Sequence, residues 1–432
     1  MFLVVIRWAA TGTIQCLRLR KKMPEEVFDA LIVGGGAAGM FAAINCKANH
    51  PSLNVTVLEK APRFLTKVGI SGGGRCYVTH ACFEPSELVK HYPRGSRELR
   101  GPFHSWQPRD TVDWFESRGV KIKQERDGRM FPTTDDSQTI IDCLLNEARR
   151  LDVTLENKCG VKGIDFNDTT GVFLVDSSRG DFRTRRLMLA TGSLKAGALS
   201  ESIEALGHTV ASLAPSLFTF NIKDARLQDL QGIAVAPATV SICGEKYTNT
   251  GPVLITHWGL SGPAILKTSA VAARRLQELK YHFDVSINWL PEISQSGIDE
   301  ALNAARKDRA RQRVIGYPLF CLPRRLWESL CQAAGISPEV QWGQVPGLAT
   351  QRLIRELQEC RFSVRGKSMN KEEFVTCGGV SLKEVNFKRM ESRIQAGLFF
   401  GGEVLDIDGV TGGFNLQAAW TAGYIAGRAM AD

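Results

Sequence analysis

The stretch Phe28–Gly39, FDALIVGGGAAG, decides the fold. Phe28–Val33 is a short apolar run, read as a buried strand. It ends in Gly34-Gly35-Gly36-Ala37-Ala38-Gly39, and Met40–Ala48 then reads as a helix with small residues on one face. Asn54–Leu58 is a second strand, and Glu59-Lys60 follows it. Strand, glycine turn, helix and strand within about 30 residues form the fingerprint of a dinucleotide-binding unit. Each residue type has a reason. Gly34 permits the tight turn, Gly36 lets backbone approach a pyrophosphate, and Gly39 lets helix and strand pack closely. The helix N-terminus offers free N–H groups to phosphate. Glu59, 20 residues beyond Gly39, accepts from ribose hydroxyls and repels a 2′-phosphate, so FAD or NAD is expected rather than NADP.

Further along, residues 62–85 read as a loop carrying Ser71-Gly72-Gly73-Gly74-Arg75-Cys76. Residues 101–150 read as mostly helical, interrupted by Asp127–Pro132. Val153–Leu155, Gly160–Phe166, Val172–Val175 and Phe182–Leu189 read as a small antiparallel layer. The last leads to Thr191-Gly192. Residues 208–272 read as further short strands, 296–335 as helices rich in Ala, Arg and Leu, and 361–385 as strands again. Gly397–Phe400 is a final buried strand before Gly401-Gly402-Glu403 and Gly412-Gly413, and Asn415–Ala431 reads as a closing helix. A glycine fingerprint at one end and a carboxylate-bearing strand end at the other make a two-part FAD site. Glu403 is placed at the ribityl chain, and the last helix points its positive N-terminal dipole at the flavin pyrimidine edge.

The composition is that of a soluble globular chain, with 44% apolar and 23% charged residues among 432. It excludes a disordered chain, a collagen-like fibre and a disulfide-stapled mini-protein. No run approaches the ~18 apolar residues of a membrane span. The net charge is +9, but residues 1–24 hold Arg7, Arg18, Arg20, Lys21 and Lys22 with no acid, leaving +4 for the rest. This leader reads as an upstream start with Met23 the true one, or as an organelle transit-type segment. Met1–Ile6 is too short an apolar run for a signal peptide. Eleven scattered cysteines, with no CxxC pair and no metal-ligand spacing, read as reduced thiols of a cytoplasmic protein.

Several stretches together resemble the HI0933-like flavoproteins. They are LIVGGGAAG (31–39), VLEK (57–60), KVGISGGGRCYVTH (67–80), GRMFP (128–132), ATG (190–192), THWGLSGPAIL (256–266), TCGGVSLKEV (376–385) and residues 401–427. The resemblance covers 28–432. It implies an α/β fold with a Rossmann-type FAD-binding domain of glutathione-reductase type, interrupted by a β-barrel-like insertion that carries a nested helical subdomain. The expected division is 25–207 and 367–432 for the flavin domain, 208–272 with 336–366 for the barrel-like insert, and 273–335 for the helical part. Carried over by motif, Ala38, Glu59, Lys60 and Lys67 would contact the adenosine and phosphate half. Gly72, Gly73, Gly74 and Arg75 would line the flavin, and Val161 would bond adenine through its backbone. Thr191 and Gly192 belong to the same cradle, and Gly402, Glu403, Gly412, Gly413 and Asn415 would hold ribityl and ring. Two departures stand out. The family continues ATGG into a glycine-rich turn where this chain has Ser193–Ala198, and it has Asn where this chain has Tyr77 and His80.

The expected activity is an FAD-dependent oxidoreductase, reduced by NAD(P)H, passing hydride through flavin N5 to a small organic substrate. No second glycine fingerprint exists in the sequence, so NAD(P)H would bind transiently. The alternatives are an amine or aminoketone oxidase using oxygen, an FAD-dependent RNA-modifying enzyme, and a non-catalytic flavin-binding protein. Cys76, beside three glycines and Arg75, is one candidate catalytic group, as a thiol of lowered pKa. His257, in a Gly/Pro-rich turn, is the other, as a proton donor. Arg306, Lys307, Arg309, Arg311 and Arg313 form a basic run on an expected helix, with 306, 309 and 313 on one face. It reads as a solvated face or as a nucleic-acid patch. No stable nucleic-acid partner is expected.

Overall fold

A computed structural model describes residues 27–368 and 375–432. The leader over 1–24 lies outside the described residues. Five parallel strands carry the site. They are β1 (Phe28–Val33), β2 (Val55–Leu58), β3 (Thr154–Glu156), β4 (Gly180–Leu189) and β5 (Leu398–Phe400), arranged β5-β4-β1-β2-β3. The apolar runs of β1, β2 and β5 and the end of β4 are buried, as the interior of a parallel sheet requires, while edge strand β3 is partly exposed. Helix α1 (Ala37–Asn49) follows β1, and helix α2 (Phe414–Ala431) ends the chain. Both are apolar nearly all round because both are enclosed.

These two helices pack backbone to backbone. A Cβ on Gly423 would stand 2.6 Å from the Ala38 carbonyl oxygen, and one on Gly427 would stand 2.4 Å from that of Ala42. Small residues here decide the interhelical distance, and that distance sets β1 and β5 into one sheet.

The antiparallel layer differs from its sequence reading. Thr154–Glu156 is not part of it but the parallel edge strand beyond β2. Val161–Asn167 and Val172–Ser177 do pair antiparallel, and they continue onto the first half of β4. Strand β4 is ten residues long and serves both layers, which alternation alone does not reveal.

A second sheet of seven strands is wholly antiparallel, running Cys360–Arg365, His282–Asn288, Ala234–Ile242, Thr248–Thr256, Gly259–Ser261, Thr219–Asn221 and Lys367–Ser368. The first and last of these are one stretch of chain broken only at Gly366. The sheet therefore closes on itself, and closure removes its edges. Helices Gln295–Asp308, Arg324–Ala333 and Gly347–Gln358 lie in sequence between His282–Asn288 and Cys360–Arg365. The expected helical range, 273–335, thus contains a strand of the closed sheet, and a third helix lies beyond it. The basic run is also placed differently. Its helix ends at Asp308, so Arg309, Arg311 and Arg313 stand on the turn that follows and not on a shared helical face.

Two links join the sheets. Val210–Ser216 pairs with Val375–Val380. The enclosed Asp408 carboxylate pairs with Arg94 and accepts the Ser216 hydroxyl at 2.8 Å, while Arg94 also donates to the Ala270 carbonyl at 2.9 Å. Among the described residues, no helix is long and apolar enough to cross a membrane.

Replacing Gly427 with valine forces α1 and α2 apart. The expected loss is about 1–3 kcal/mol of unfolding free energy, measured by urea denaturation. An unchanged midpoint contradicts backbone contact as the determinant of this packing.

Candidate functional site

The glycine turn is built as its chemistry demands. Gly34 has φ +110°, and any Cβ there would lie 2.3 Å from the Ala190 carbonyl oxygen. A Cβ on Gly39 would lie 2.0 Å from the Gly34 carbonyl oxygen. Gly36 is the opposite case: nothing lies within 4 Å of the place its Cβ would take. Gly36 caps α1 without any side-chain hydrogen bond, and the first turn of α1 carries no acid. Free N–H groups and an open approach are what a diphosphate needs.

Glu59 is held at the end of β2. Its carboxylate accepts from the Gly35 N–H at 2.9 Å and the Ala61 N–H at 2.7 Å, and each oxygen keeps a lone pair for a hydroxyl donor. Lys60 is exposed beside it, and a Cβ on Gly160 would stand 3.5 Å from the Lys60 Cβ.

The chain's far end closes the other side. The Lys67 ammonium pairs with the Glu403 carboxylate, and Ser193 donates to the same carboxylate at 3.5 Å. A Cβ on Gly192 would meet Lys67 Nζ at 3.5 Å and Glu403 Oε2 at 3.6 Å. Gly402 packs on Ala38, with 3.3 Å between its notional Cβ and that of Ala38. Ala38, Lys67, Thr191-Gly192 and Gly402-Glu403, read from four separate motifs, converge on one cradle. Ser193, one of the departures from the family pattern, joins it. Gly73 and Gly74, both with positive φ, likewise leave open space where a Cβ would stand. The residues present fit FAD.

Other expected roles are corrected. Cys76 is fully enclosed, and burial pushes its thiol up to about 12, the reverse of an activated thiol. The Asn415 amide is committed to backbone, accepting from the Gly409 N–H at 2.8 Å and donating to the Gly409 carbonyl at 2.9 Å. It braces the turn before α2. Arg75 turns to Glu125 at 2.7 Å and lies over the Phe131 ring at 4.0 Å. His257 is exposed at the tip between Thr248–Thr256 and Gly259–Ser261, on the closed sheet.

Sequence reading missed an aromatic group at the start of α2. The Phe414 ring stacks on His91 at 4.2 Å and on His80 at 4.5 Å. His80 Nδ1 lies 3.0 Å from the Gly412 carbonyl oxygen, which can only accept, so Nδ1 carries the proton. His80 therefore fixes the Gly412-Gly413 turn where the family pattern has Asn. Burial lowers the pKa of His80. His91 is pushed down to about 4 by burial, then by His80 and Lys267, against a small opposing pull from Glu87. Both rings are neutral at pH 7. Arg129 reaches toward Tyr77 at 3.5 Å, so cations flank an uncharged aromatic wall. Only the HxxxxxxxxxxH spacing in the sequence hints at this pair, and spacing over a loop predicts no contact.

Because the folded state refuses a proton that unfolded His91 accepts below its ordinary value of 6.5, stability falls as pH drops from about 6.5 through about 4. His91→Phe keeps the stack and flattens that fall. Urea midpoints across this pH range check it; equal slopes for the two proteins contradict a buried neutral His91.

The comparisons agree with this geometry. The model of the HI0933-like protein Rossmann domain matches residues 28–429. A ribosomal RNA dihydrouridine synthase of Escherichia coli K12 is 31% identical over 92% of this chain and 97% of its own. A 3-dehydro-bile acid delta(4,6)-reductase of Clostridium scindens is 27% identical over 93% and 98%. Among solved structures, a 3-ketosteroid-delta4-(5alpha)-dehydrogenase of Rhodococcus jostii aligns with TM-score 0.50 at 16% identity, over 94% of this chain and 97% of its own, a likeness of fold. This chain belongs to the HI0933-like family of Rossmann-type, FAD-binding oxidoreductases.

Proposed function

We propose that this protein is an FAD-dependent reductase of a carbon–carbon double bond conjugated to a carbonyl, with NADH or NADPH as electron donor and a uracil base of ribosomal RNA as acceptor. The observation that carries the reading is the single cradle assembled from Gly34–Gly39, Glu59, Lys67, Gly192 and Glu403. The printed names of the relatives narrow the chemistry. A dihydrouridine synthase and a delta(4,6)-reductase each saturate a double bond. Two of the relatives, from Escherichia coli and Haemophilus influenzae, act on ribosomal RNA, which favours RNA over the small free molecule expected from sequence.

When bound, FAD supplies hydride transfer at its N5. This chain's residues do the rest. Gly36 and the first turn of α1 receive the diphosphate, Glu59 takes the ribose hydroxyls, and Lys67 with Glu403 meets the ribityl side. The Gly412-Gly413 turn, fixed by His80 and Asn415, presents the N-terminus of α2, whose dipole favours negative charge. Phe414, His80 and His91 give the site an apolar, uncharged wall; saturating the double bond takes one hydride and one proton, the proton coming from solvent. A conjugated ketone of polycyclic type is the second reading, supported by the Clostridium relative.

The test incubates the purified protein anaerobically with NADH or NADPH and an unmodified ribosomal RNA transcript, followed by nucleoside mass spectrometry. A uridine gaining two hydrogens is expected. No such product, with turnover of a steroid-type conjugated ketone, replaces RNA by the second reading. Oxygen consumption with amines and no reduction of either acceptor contradicts the proposal outright.

A further inference from the structure

Beyond residues 1–24, positive charge is concentrated in one short stretch of the chain. Residues 306–325 contain Arg306, Lys307, Arg309, Arg311, Arg313, Arg324 and Arg325 against the one acid Asp308, a net +6. The chain beyond the leader totals +4, so everything else is net acidic. A solvated helix face would alternate signs or pair its charges. This stretch does not alternate signs, and it pairs its charges only in part. Lys307, Arg311 and Arg325 are exposed and, like Arg309, have no ion pair among the described residues; Arg313 and Arg324 pair with Glu339 and Glu328 at the surface.

The surface is also stiff and aromatic. The Arg309 guanidinium lies 4.5 Å over the Tyr317 ring, and Tyr317 is 46% exposed. The turn is anchored from beneath. The Trp327 indole donates to the Val314 carbonyl at 2.9 Å, the Trp342 N–H to the Gln312 carbonyl at 2.9 Å, and the Gly343 N–H to the Ala310 carbonyl at 3.0 Å. Both indoles are buried. Guanidinium and ammonium groups held on a rigid turn beside an exposed ring match a phosphate backbone with a base to stack.

We propose that Lys307, Arg309, Arg311, Arg325 and Tyr317 form an RNA-docking surface on the helical part of the chain, which holds the substrate RNA while one base enters the flavin site. This rests on the RNA reading above. Cations here neutralise phosphates without reading sequence, and Tyr317 adds stacking that tolerates any base.

The test measures binding of the full-length protein to a protein-free ribosomal RNA fragment across a salt series. The combined variant Lys307→Gln, Arg311→Gln, Arg325→Gln is expected to flatten the slope of log affinity against log salt by about 2 to 3, from roughly 0.7–0.9 per lost phosphate contact. Affinity near 0.1 M salt is expected to fall about tenfold or more. Tyr317→Ala is expected to weaken binding about tenfold with the slope unchanged. A control with the same charge change at exposed Arg149, Lys223 and Lys388 is expected to bind like wild type. Urea midpoints confirm that every variant folds. If wild type reduces uridine in RNA but the patch variant binds like the control, the surface is overturned and the RNA reading stands. If wild type neither binds nor reduces RNA, both are overturned. Binding of wild type to phosphatidylserine vesicles in place of RNA would reassign the surface to a membrane.

Discussion

The first and last helices touch through their backbones, and the site depends on that contact. Gly423 and Gly427 rest on the Ala38 and Ala42 carbonyls, so α2 lies nearer to α1 than any side chain would permit. The approach places β5 beside β4 and puts Gly402 against Ala38. Segments more than three hundred residues apart then share one cradle. Lys67 meets Glu403, Gly192 lies between them, and Gly36 stays open above the N-terminus of α1. Everything inserted between these ends is free to vary as long as it returns β5 to this register. The closed antiparallel sheet satisfies the same requirement in its own way, since one stretch, Cys360–Ser368, both opens and closes it.

Electrostatics divides the molecule in a related manner. Near the start of α2 the chain spends its polar groups on its own backbone. Asn415 clasps Gly409, His80 bonds Gly412, and Tyr92 donates to the Phe414 carbonyl at 2.6 Å. Beside that helix start lie the uncharged stacked rings of Phe414, His80 and His91. Such preorganisation favours a developing negative charge. The exposed cations Lys307, Arg311 and Arg325, without an ion pair among the described residues, stand elsewhere, around the turn after Asp308.

Much of this was legible in the sequence, for a physical reason. Gly34, Gly36, Gly39 and Glu59 act within one strand–turn–helix–strand unit, so local spacing carries their geometry. Gly192 and Glu403 were read at the ends of apolar strands, while Lys67 came through the family resemblance, since no local rule brings it to them. Roles that depend on distant partners were misjudged. Cys76 sits among glycines in sequence but under the core in space, which raises its thiol instead of lowering it. Arg75 is drawn off by Glu125, and Asn415 by Gly409. His91 and Phe414 meet across more than three hundred residues, and His91 belongs to no motif. The doubled role of β4 and the strand His282–Asn288 escaped because a strand's partners are not written in its own alternation.

The most direct test of the central claim is the cofactor content of the protein as purified. The two-ended cradle predicts a yellow protein that releases one FAD per chain on denaturation. A folded, monodisperse protein that carries no flavin and takes up none from added FAD would contradict the site.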